Sequence, residues 1–267
     1  MEDNTRKKMK ITVLGVRGSI PTEGKDMLEF GGATSCILVE AGDQAIFLDA
    51  GSGIISAPDI GEKQISVLIT HPHLDHILGL PFFPYIFKDC KISIYSPKRD
   101  DTAISEQVEK YLSPPLWPCR ISDYPSEVAL FDAELPIKIG DVLVEGIPSI
   151  HPGGGTVYKL TYEGKSLVYA TDYEHDEDRI GELIGFSKNT DLLFYDSQYT
   201  DEEYETHRGY GHSTAKWGMR VMKESGAKML RFVHHDPGHT DEFLRRMEAE
   251  IKSEVCSFAR RGEVIVL

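Results

Sequence analysis

The sequence predicts an α/β fold in a single domain that spans residues 1–267. Short apolar runs typical of strands alternate with helical patterns from one end of the chain to the other. The chain has 267 residues, of which 40% are hydrophobic, and this is enough for one large core. No repeat, low-complexity segment or linker interrupts the pattern. These observations together favour one layered domain over two.

The first half of the chain shows mostly strand patterns. Strands are expected at residues 10–16, 34–40, 44–49, 65–69 and 91–95, with a short helix after residue 76 and another helix at residues 101–112. Residues 34–40 and 44–49 are predicted to pair as a hairpin, because a turn signal separates the two apolar runs. The glycine-rich turn Gly15–Pro21 lacks the Lys-Ser/Thr pair of a P-loop. It either allows the backbone to approach a site closely or forms a plain turn.

The second half shows the same alternation. Two or three short strands are expected at residues 128–150, and further strands at 157–162, 166–170, 191–195, 228–233 and 264–267. Helices are expected from His212 to about residue 224, with the cap near Ser213 or Thr214, and at residues 241–259. Because strands and helices interleave throughout, the strand ends should gather at one edge of the fold.

The stretch Thr70–His76 is the most informative part of the sequence. Three imidazoles and one carboxylate lie within six residues, directly after an apolar strand. Such crowding is costly unless the groups bind something. His71 and His73 can face the same side of an extended loop and hold one metal ion, while Asp75 and His76 can face a second ion. The alternative is a solvated polar loop that contains histidines by chance.

The pattern H-x-H-x-D-H at residues 71–76 resembles the signature of the metallo-β-lactamase-fold hydrolases. The resemblance covers nearly the whole chain and implies a four-layer αββα sandwich. His151, Asp172 and His234 each follow a predicted strand, and their order matches the later metal-binding motifs of that family. In isolation, His151 could equally be an ordinary loop histidine.

The resemblance implies a site for two divalent metal ions, expected to be zinc, with manganese or iron as alternatives. The implied ligands are His71, His73 and His151 for the first ion and Asp75, His76 and His234 for the second, with Asp172 bridging both. Asp49 corresponds to a family aspartate that lies behind the metal loop and orients it.

The neighbours His234 and His235 compete for one ligand position. Consecutive residues of a strand point to opposite faces, so only one of them should bind metal. Family members place the ligand at the first residue after the strand, which favours His234. His235 and His239 are then expected to support the ligands or to face the substrate, and His175 and His207 to lie at the surface.

Gly211–Thr214 resembles the H-x-T element of ribonuclease Z and related phosphodiesterases. The resemblance implies that His212 contacts the phosphate and assists the leaving group, which suits an imidazole at neutral pH. The alternative is a residue at the start of a helix without a catalytic role. Residues 81–125 are rich in proline and aromatic residues. Phe82, Phe83 and Trp117 are expected to form a wall of the substrate pocket, unless they only pack over the sheet.

The formal net charge of −14 disfavours a partner that is a long nucleic acid, although the charge could also serve solubility alone. The four cysteines show no C-x-x-C spacing and are expected to be free thiols of a cytoplasmic protein. No run is long and apolar enough for a membrane span, and no apolar leader is expected at the N-terminus. Relatives of this fold are often homodimers, so a homodimer is an expectation from the resemblance.

The predicted function is that of a dinuclear metal hydrolase acting on small phosphodiesters, such as a cyclic nucleotide or cyclic sugar phosphate. A hydroxide that bridges the metals would attack phosphorus, with His212, Asp75 and Asp172 as catalytic residues. Aspartate at residue 172 and histidine at residue 73 disfavour a β-lactamase and a diiron oxidoreductase, respectively. One alternative is hydrolysis of a carbon electrophile, such as a lactone, a thioester or a small xenobiotic. Another is a sensor protein with a vestigial site.

Overall fold

The computed structural model describes residues 8–251 and 253–267 and contains two seven-stranded sheets. The strands are β1 (Met9–Gly15), β2 (Cys36–Ala41), β3 (Gln44–Leu48), β4 (Gln64–Leu68), β5 (Lys91–Ser96), β6 (Glu127–Asp132), β7 (Ile137–Ile139), β8 (Val142–Ser149), β9 (Gly155–Tyr162), β10 (Lys165–Ala170), β11 (Leu192–Asp196), β12 (Leu230–Val233), β13 (Cys256–Phe258) and β14 (Val264–Val266). The helices are α1 (Leu74–Ile77), α2 (Ile104–Tyr111), α3 (Ile180–Phe186), α4 (Asp201–His207), α5 (Ala215–Ser225) and α6 (Asp241–Ile251).

The strand order is β14-β1-β2-β3-β4-β5-β6 in the first sheet and β13-β12-β11-β10-β9-β8-β7 in the second. Strands β3 to β6 run parallel to one another, as do strands β10 to β13. Parallel strands place their carboxyl ends at one edge of a sheet. The segments that follow β3, β4, β10, β11 and β12 therefore meet at that edge, where the polar residues of the sequence are concentrated.

The core has three layers of apolar side chains. One layer lies between the two sheets and includes Val13 and Leu48 of the first sheet and Leu160 and Phe194 of the second. A second layer packs the outer face of the first sheet against α2, and a third packs the outer face of the second sheet against α3, α5 and α6. Burial of both faces of each sheet confirms the α/β class and the four-layer arrangement.

Two differences from the sequence prediction concern the second half. Helices α3 and α4 were not predicted, although α4 begins with a capping box between Thr200 and Glu203. The predicted helix at residues 241–259 is wrong beyond Ile251, because Cys256 and Phe258 are buried in β13 and pair with β12. Residues 128–150 contain three strands, the upper of the two numbers expected.

The prediction for the N-terminus concerns residues 1–10, of which residues 1–7 lie outside the described part of the chain. Within the described residues, none of the helices combines the length and apolar character that a membrane crossing requires.

Candidate metal centre

The loop after β4 is fixed by a carboxylate from the end of β3. Asp49 accepts hydrogen bonds from the Thr70 amide at 2.7 Å and the Thr70 hydroxyl at 3.0 Å. Its other oxygen lies 2.7 Å from His76 Nδ1. This contact turns His76 Nε2 toward the pocket. The structure thus places Asp49 behind the metal loop, where the family resemblance expects it.

Three histidines form the first group of potential ligands. The ring centroids of His71, His73 and His151 lie 4.4 to 4.8 Å apart, and one nitrogen of each ring lies within 4.8 Å of the others. His71 is buried, His151 is half-buried and His73 is exposed. This group therefore opens toward solvent on the side of His73.

A second group of potential ligands is fully buried. It consists of Asp75, His76, Asp172 and His234, whose ligand atoms lie within 4.8 Å of one another. His76 Nε2 lies 3.3 Å from the Asp75 carboxylate, and His234 Nε2 lies 3.1 Å from the same oxygen. The seven residues expected as ligands thus converge from both sheets.

Asp172 lies between the two groups. One of its oxygens is 3.6 Å from both His71 Nε2 and His151 Nε2. The other is 3.1 Å from His76 Nε2 and 3.2 Å from His234 Nε2. Each oxygen of Asp172 thus faces one of the two groups of potential ligands.

The donor set fits two divalent metal ions. The buried Nε2 atoms of His71 and His76 lie near carboxylate oxygens but form no hydrogen bond of acceptable geometry with them, which is costly unless these atoms bind something else. Neutral imidazoles and carboxylates are ligands that suit zinc, manganese and iron. The fold and this cluster together indicate a site for divalent metal ions.

Burial and the neighbouring carboxylates shift the pKa values of His151 and His234 in opposite directions. Burial lowers the pKa of His151 to about 4 and favours the neutral ring. Burial also acts against the imidazolium of His234, but the Asp172 and Asp75 carboxylates outweigh it and raise its pKa to about 9. Divalent cations would relieve the same excess of negative charge that holds a proton on His234.

His212 lies beside the metal groups and is held by a carboxylate that the sequence analysis missed. Its Nδ1 lies 2.9 Å from Asp196 Oδ2, and its ring stacks on His234 with centroids 4.8 Å apart. A ring nitrogen of His212 lies within 4.8 Å of ligand atoms of His151 and Asp172. Asp196 also accepts hydrogen bonds from the amides of Asp172 and Ser213. The available sequence signal for Asp196 was its position at the end of an apolar strand, which is similar to the position of Asp49 directly after β3.

The glycine-rich turn at residues 15–21 approaches the site closely, which is one of the two alternatives left open by the sequence. A β-carbon on Gly18 would lie 2.3 Å from His234 Nδ1, so only glycine fits there. The Ser19 amide donates a hydrogen bond to Asp75 Oδ2 at 2.7 Å. Gln198, which the sequence analysis also missed, places its Oε1 atom 2.9 Å from His234 Nδ1.

His234 and His235 have different surroundings. His234 lies in the second ligand group with a φ of 63°, whereas His235 turns away from it. The Nε2 atom of His235 lies 3.0 Å from the Ala259 carbonyl oxygen, and its ring packs against Phe30 and Phe258. The expectation that His235 supports the ligands or faces substrate is therefore wrong, because its side chain belongs to the core on the opposite side.

The aromatic residues expected at the pocket are also elsewhere. Phe83 is fully buried against Phe47, with ring centroids 4.9 Å apart, and belongs to the core of the first sheet. Phe82 is 52% exposed and packs edge-to-face on Trp117. None of the three lines the cavity beside the histidines, so the packing alternative holds for them.

The remaining histidines lie outside the cluster. His175 was expected at the surface, but it is buried between Tyr204 and Trp217, and its Nδ1 lies 2.8 Å from Ser213 Oγ. His207 is half-buried and stacks on Tyr199. His239 faces neither ligands nor substrate, since its Nε2 lies 2.9 Å from Glu203.

Comparisons with known proteins agree with this geometry. The family model for the beta-lactamase superfamily domain matches residues 46–235. The probable metallo-hydrolase YhfI of Bacillus subtilis is 25% identical over 96% of this chain and 99% of its own length. Its crystal structure superposes with a TM-score of 0.73 at 23% identity, covering 98% of this chain and 100% of that one.

Two further relatives are similar over most of this chain. Ribonuclease Z of Haloarcula marismortui is 24% identical over 85% of this chain and 86% of its own length. The crystal structure of a diphosphatase from the PhnP family shares the fold, with a TM-score of 0.69 at 18% identity. It covers 96% of this chain and 97% of that chain.

Proposed function

The chain belongs to the beta-lactamase superfamily, and we propose that this metal-dependent hydrolase acts on small phosphodiesters, such as a cyclic nucleotide or a cyclic sugar phosphate. The observation that carries the proposal is the pair of His212 and Asp196 beside the bridging Asp172. A phosphodiester needs a proton for its departing alkoxide, and an imidazole held next to the ligands can provide it.

Each residue of the site has a separate task in this proposal. Two bound divalent ions would supply a water of lowered pKa and neutralise charge that develops on the phosphoryl oxygens. Asp172 holds the two ligand groups in a fixed relation. His212 would donate a hydrogen bond from Nδ1 to Asp196, which leaves Nε2 as the atom that delivers a proton to the alkoxide oxygen. Asp196 also accepts a hydrogen bond from the Asp172 amide, so it holds His212 in a fixed position relative to Asp172.

Two independent observations support a small phosphodiester as substrate. Both the ribonuclease Z relative and the PhnP-family diphosphatase have names that denote hydrolysis at phosphorus. The formal net charge of −14 opposes the approach of a long polyanion but has less effect on a small one. We therefore place small phosphodiesters ahead of transfer RNA.

We further propose that both ions are zinc, because catalytic zinc sites are typically formed by histidine nitrogens together with carboxylate oxygens, which are the ligands that this site offers. Metal analysis of protein purified without chelator should find about two zinc ions per chain. Manganese or iron at the same ratio would contradict the choice of zinc while leaving the dinuclear site intact.

The experiment that tests the function compares two leaving groups in His212→Ala. With a cyclic nucleotide, whose leaving group is an alkoxide, we expect kcat to fall by about 10²- to 10⁴-fold. With bis-p-nitrophenyl phosphate the loss should be much smaller, because p-nitrophenolate leaves without a proton. His207→Ala is the matched control, since His207 lies outside the cluster. Wild-type protein that hydrolyses lactones but no phosphodiester would contradict the proposal.

A further inference from the structure

A cavity of about 370 Å³ adjoins the open side of the three-histidine group. Pro72, Leu74 and Gly153 line it, and the first two alternate with the histidines of the metal loop. A β-carbon on Gly153 would lie 4.0 Å from His73 Nε2, so the cavity begins next to a potential ligand. The second ligand group is buried, whereas His73 is exposed, so the cavity lies on the solvent-facing side of the ligands.

One part of the cavity wall is apolar. Its side chains come from the metal loop, from α1 and α2, and from the segment that follows α2, namely Leu74, Ile77, Tyr111 and Leu116. Leu116 is 72% exposed and Leu74 is 60% exposed, so both side chains are accessible to a group that enters the cavity. A volume of this size holds one ring-sized group beside the ions.

The other part of the wall carries two cations, Arg99 and Lys110. Arg99 donates hydrogen bonds through Nη2 to the Thr70 carbonyl oxygen and Thr156 Oγ1, which hold it in place. Its buried Nε has no partner, and among the described residues neither cation has a carboxylate within ion-pair distance. Asp100 also lines the cavity, so the wall carries two positive charges and one negative charge.

We propose that this cavity binds the organic part of the substrate, and that this part contains a ring and carries an anionic group, either a carboxylate or a phosphate. The ring would lie against Tyr111 and Leu116, and the anion would pair with Arg99 and Lys110. Arginine that is already held by two hydrogen bonds loses little side-chain entropy when it binds an anion. This inference rests on the proposed phosphodiesterase function and adds a second anionic group to the substrate.

The test compares two diesters that release the same p-nitrophenolate. One is bis-p-nitrophenyl phosphate, and the other carries a carboxylate in place of one nitro group. We expect wild-type kcat/KM to be about tenfold higher for the carboxylated diester. Lys110→Met and Arg99→Met should each reduce that ratio toward one. Lys98→Met is the matched control, because Lys98 lies next to Arg99 but outside the cavity, and it should keep the ratio.

The ratio separates a specific effect from a general one. If Arg99→Met disturbs the metal loop, kcat/KM falls for both diesters alike. The ratio of the two kcat/KM values then still reports only the effect of the carboxylate. Leu116→Ser should raise KM for both diesters several-fold without changing the ratio. Equal kcat/KM values in the wild type, or a ratio that Lys110→Met leaves unchanged, would overturn the inference.

A binding measurement distinguishes this inference from the proposed function. If no diester is hydrolysed, calorimetric titration with 4-carboxyphenyl phosphate and phenyl phosphate still tests the cavity. Tighter binding of the carboxylated compound by wild type but not by Lys110→Met would support the anion site in the cavity, although the absence of hydrolysis had already rejected the phosphodiesterase function. Equal binding of both compounds would reject the cavity.

Discussion

The two sheets contribute to the metal centre in different ways. The first sheet provides four potential ligands from one loop, within six consecutive residues after β4. The second sheet provides three, namely His151, Asp172 and His234, and each follows a different strand. The first contribution is thus a local motif, whereas the second exists only when the three strands that precede these ligands are correctly placed in the sheet.

The supporting contacts differ in the same way. In the first sheet one carboxylate, Asp49, fixes Thr70 and His76. In the second sheet Asp196, Gln198 and Glu174 each contact a different segment, because the residues that they hold lie far apart in the chain. The comparison indicates that dispersed ligands require more polar support than a compact loop does.

The largest effect should come from the one ligand that touches both groups. Asp172→Ala leaves several imidazoles without a counter-charge and removes the bridging position. We expect both metal ions to be lost and kcat/KM to fall by at least about 10³-fold, because breaking a buried charged pair costs about 3–5 kcal/mol. Metal content and diester hydrolysis measure this. Asp178→Ala, an exposed change nearby, is the control, and a variant that still binds two ions would contradict the bridging role.

A paired experiment on the two supporting carboxylates tests the comparison directly. Asp196→Asn weakens contacts to His212, Asp172 and Ser213 together, whereas Asp49→Asn affects one loop. We expect kcat/KM to fall by about 100-fold for Asp196→Asn and by about tenfold for Asp49→Asn. Zinc affinity and kcat should be measured for both. Equal losses would show that the two sheets depend on their supports to the same degree.

Substitution of Glu174 should lower kcat by a smaller factor, since Glu174 does not contact His212 itself but holds the loop that carries it. Its oxygens accept hydrogen bonds from the amides of Gly209 at 2.7 Å and Gly211 at 2.9 Å. Gly211 in turn packs on His151, where a β-carbon would lie 2.2 Å from the ring.

We expect Glu174→Gln to lower kcat by about threefold to tenfold, because one charged hydrogen bond to the loop becomes weaker. Metal content should stay at the wild-type value. Glu177→Gln is the control, because it changes an exposed glutamate of the same segment. Loss of metal in Glu174→Gln would show that the loop also holds His151.

The smallest effect concerns pH and His175, behind the second sheet. Burial lowers the pKa of His175 to about 4, so the folded protein keeps this ring neutral. Below its unfolded pKa of about 6.5, the unfolded chain binds a proton that the folded chain does not, and stability therefore falls as pH decreases from 6.5 toward 4. Relative to His175→Phe, the wild type should lose about 1–2 kcal/mol of unfolding free energy between pH 7 and pH 5. Urea denaturation of both proteins at both pH values measures this difference. The same difference in unfolding free energy between wild type and His175→Phe at pH 7 and pH 5 would contradict the prediction.

The sequence predicted the parts of the site that rest on local signals. The loop at residues 71–76 stands out by its density, and His151, Asp172 and His234 by their positions after strands. Gln198 and Glu174 were missed because no local feature separates them from solvated polar residues, and Asp196 was missed although it ends an apolar strand. Only the strand order shows that Asp196 lies against His212.

The errors have a similar origin. Alternation of side chains along a strand predicted that only one of His234 and His235 faces the ligands, and the family resemblance selected His234, but neither showed where the ring of His235 would lie. Aromatic composition at residues 81–125 did not distinguish a pocket wall from a core, and Phe83 belongs to the core. These properties depend on tertiary packing, which composition and periodicity do not contain.

The pairing of β14 with β1 has a consequence for biosynthesis. All other strands of the first sheet lie within residues 9–132, but its outer strand is formed by residues 264–266. A ribosome delivers the metal loop early, yet β1 keeps an unpaired edge until the final strand emerges. The nascent chain therefore exposes the unpaired edge of β1 while the second sheet is being translated. Removal of residues 264–266 would leave that edge without its partner strand permanently.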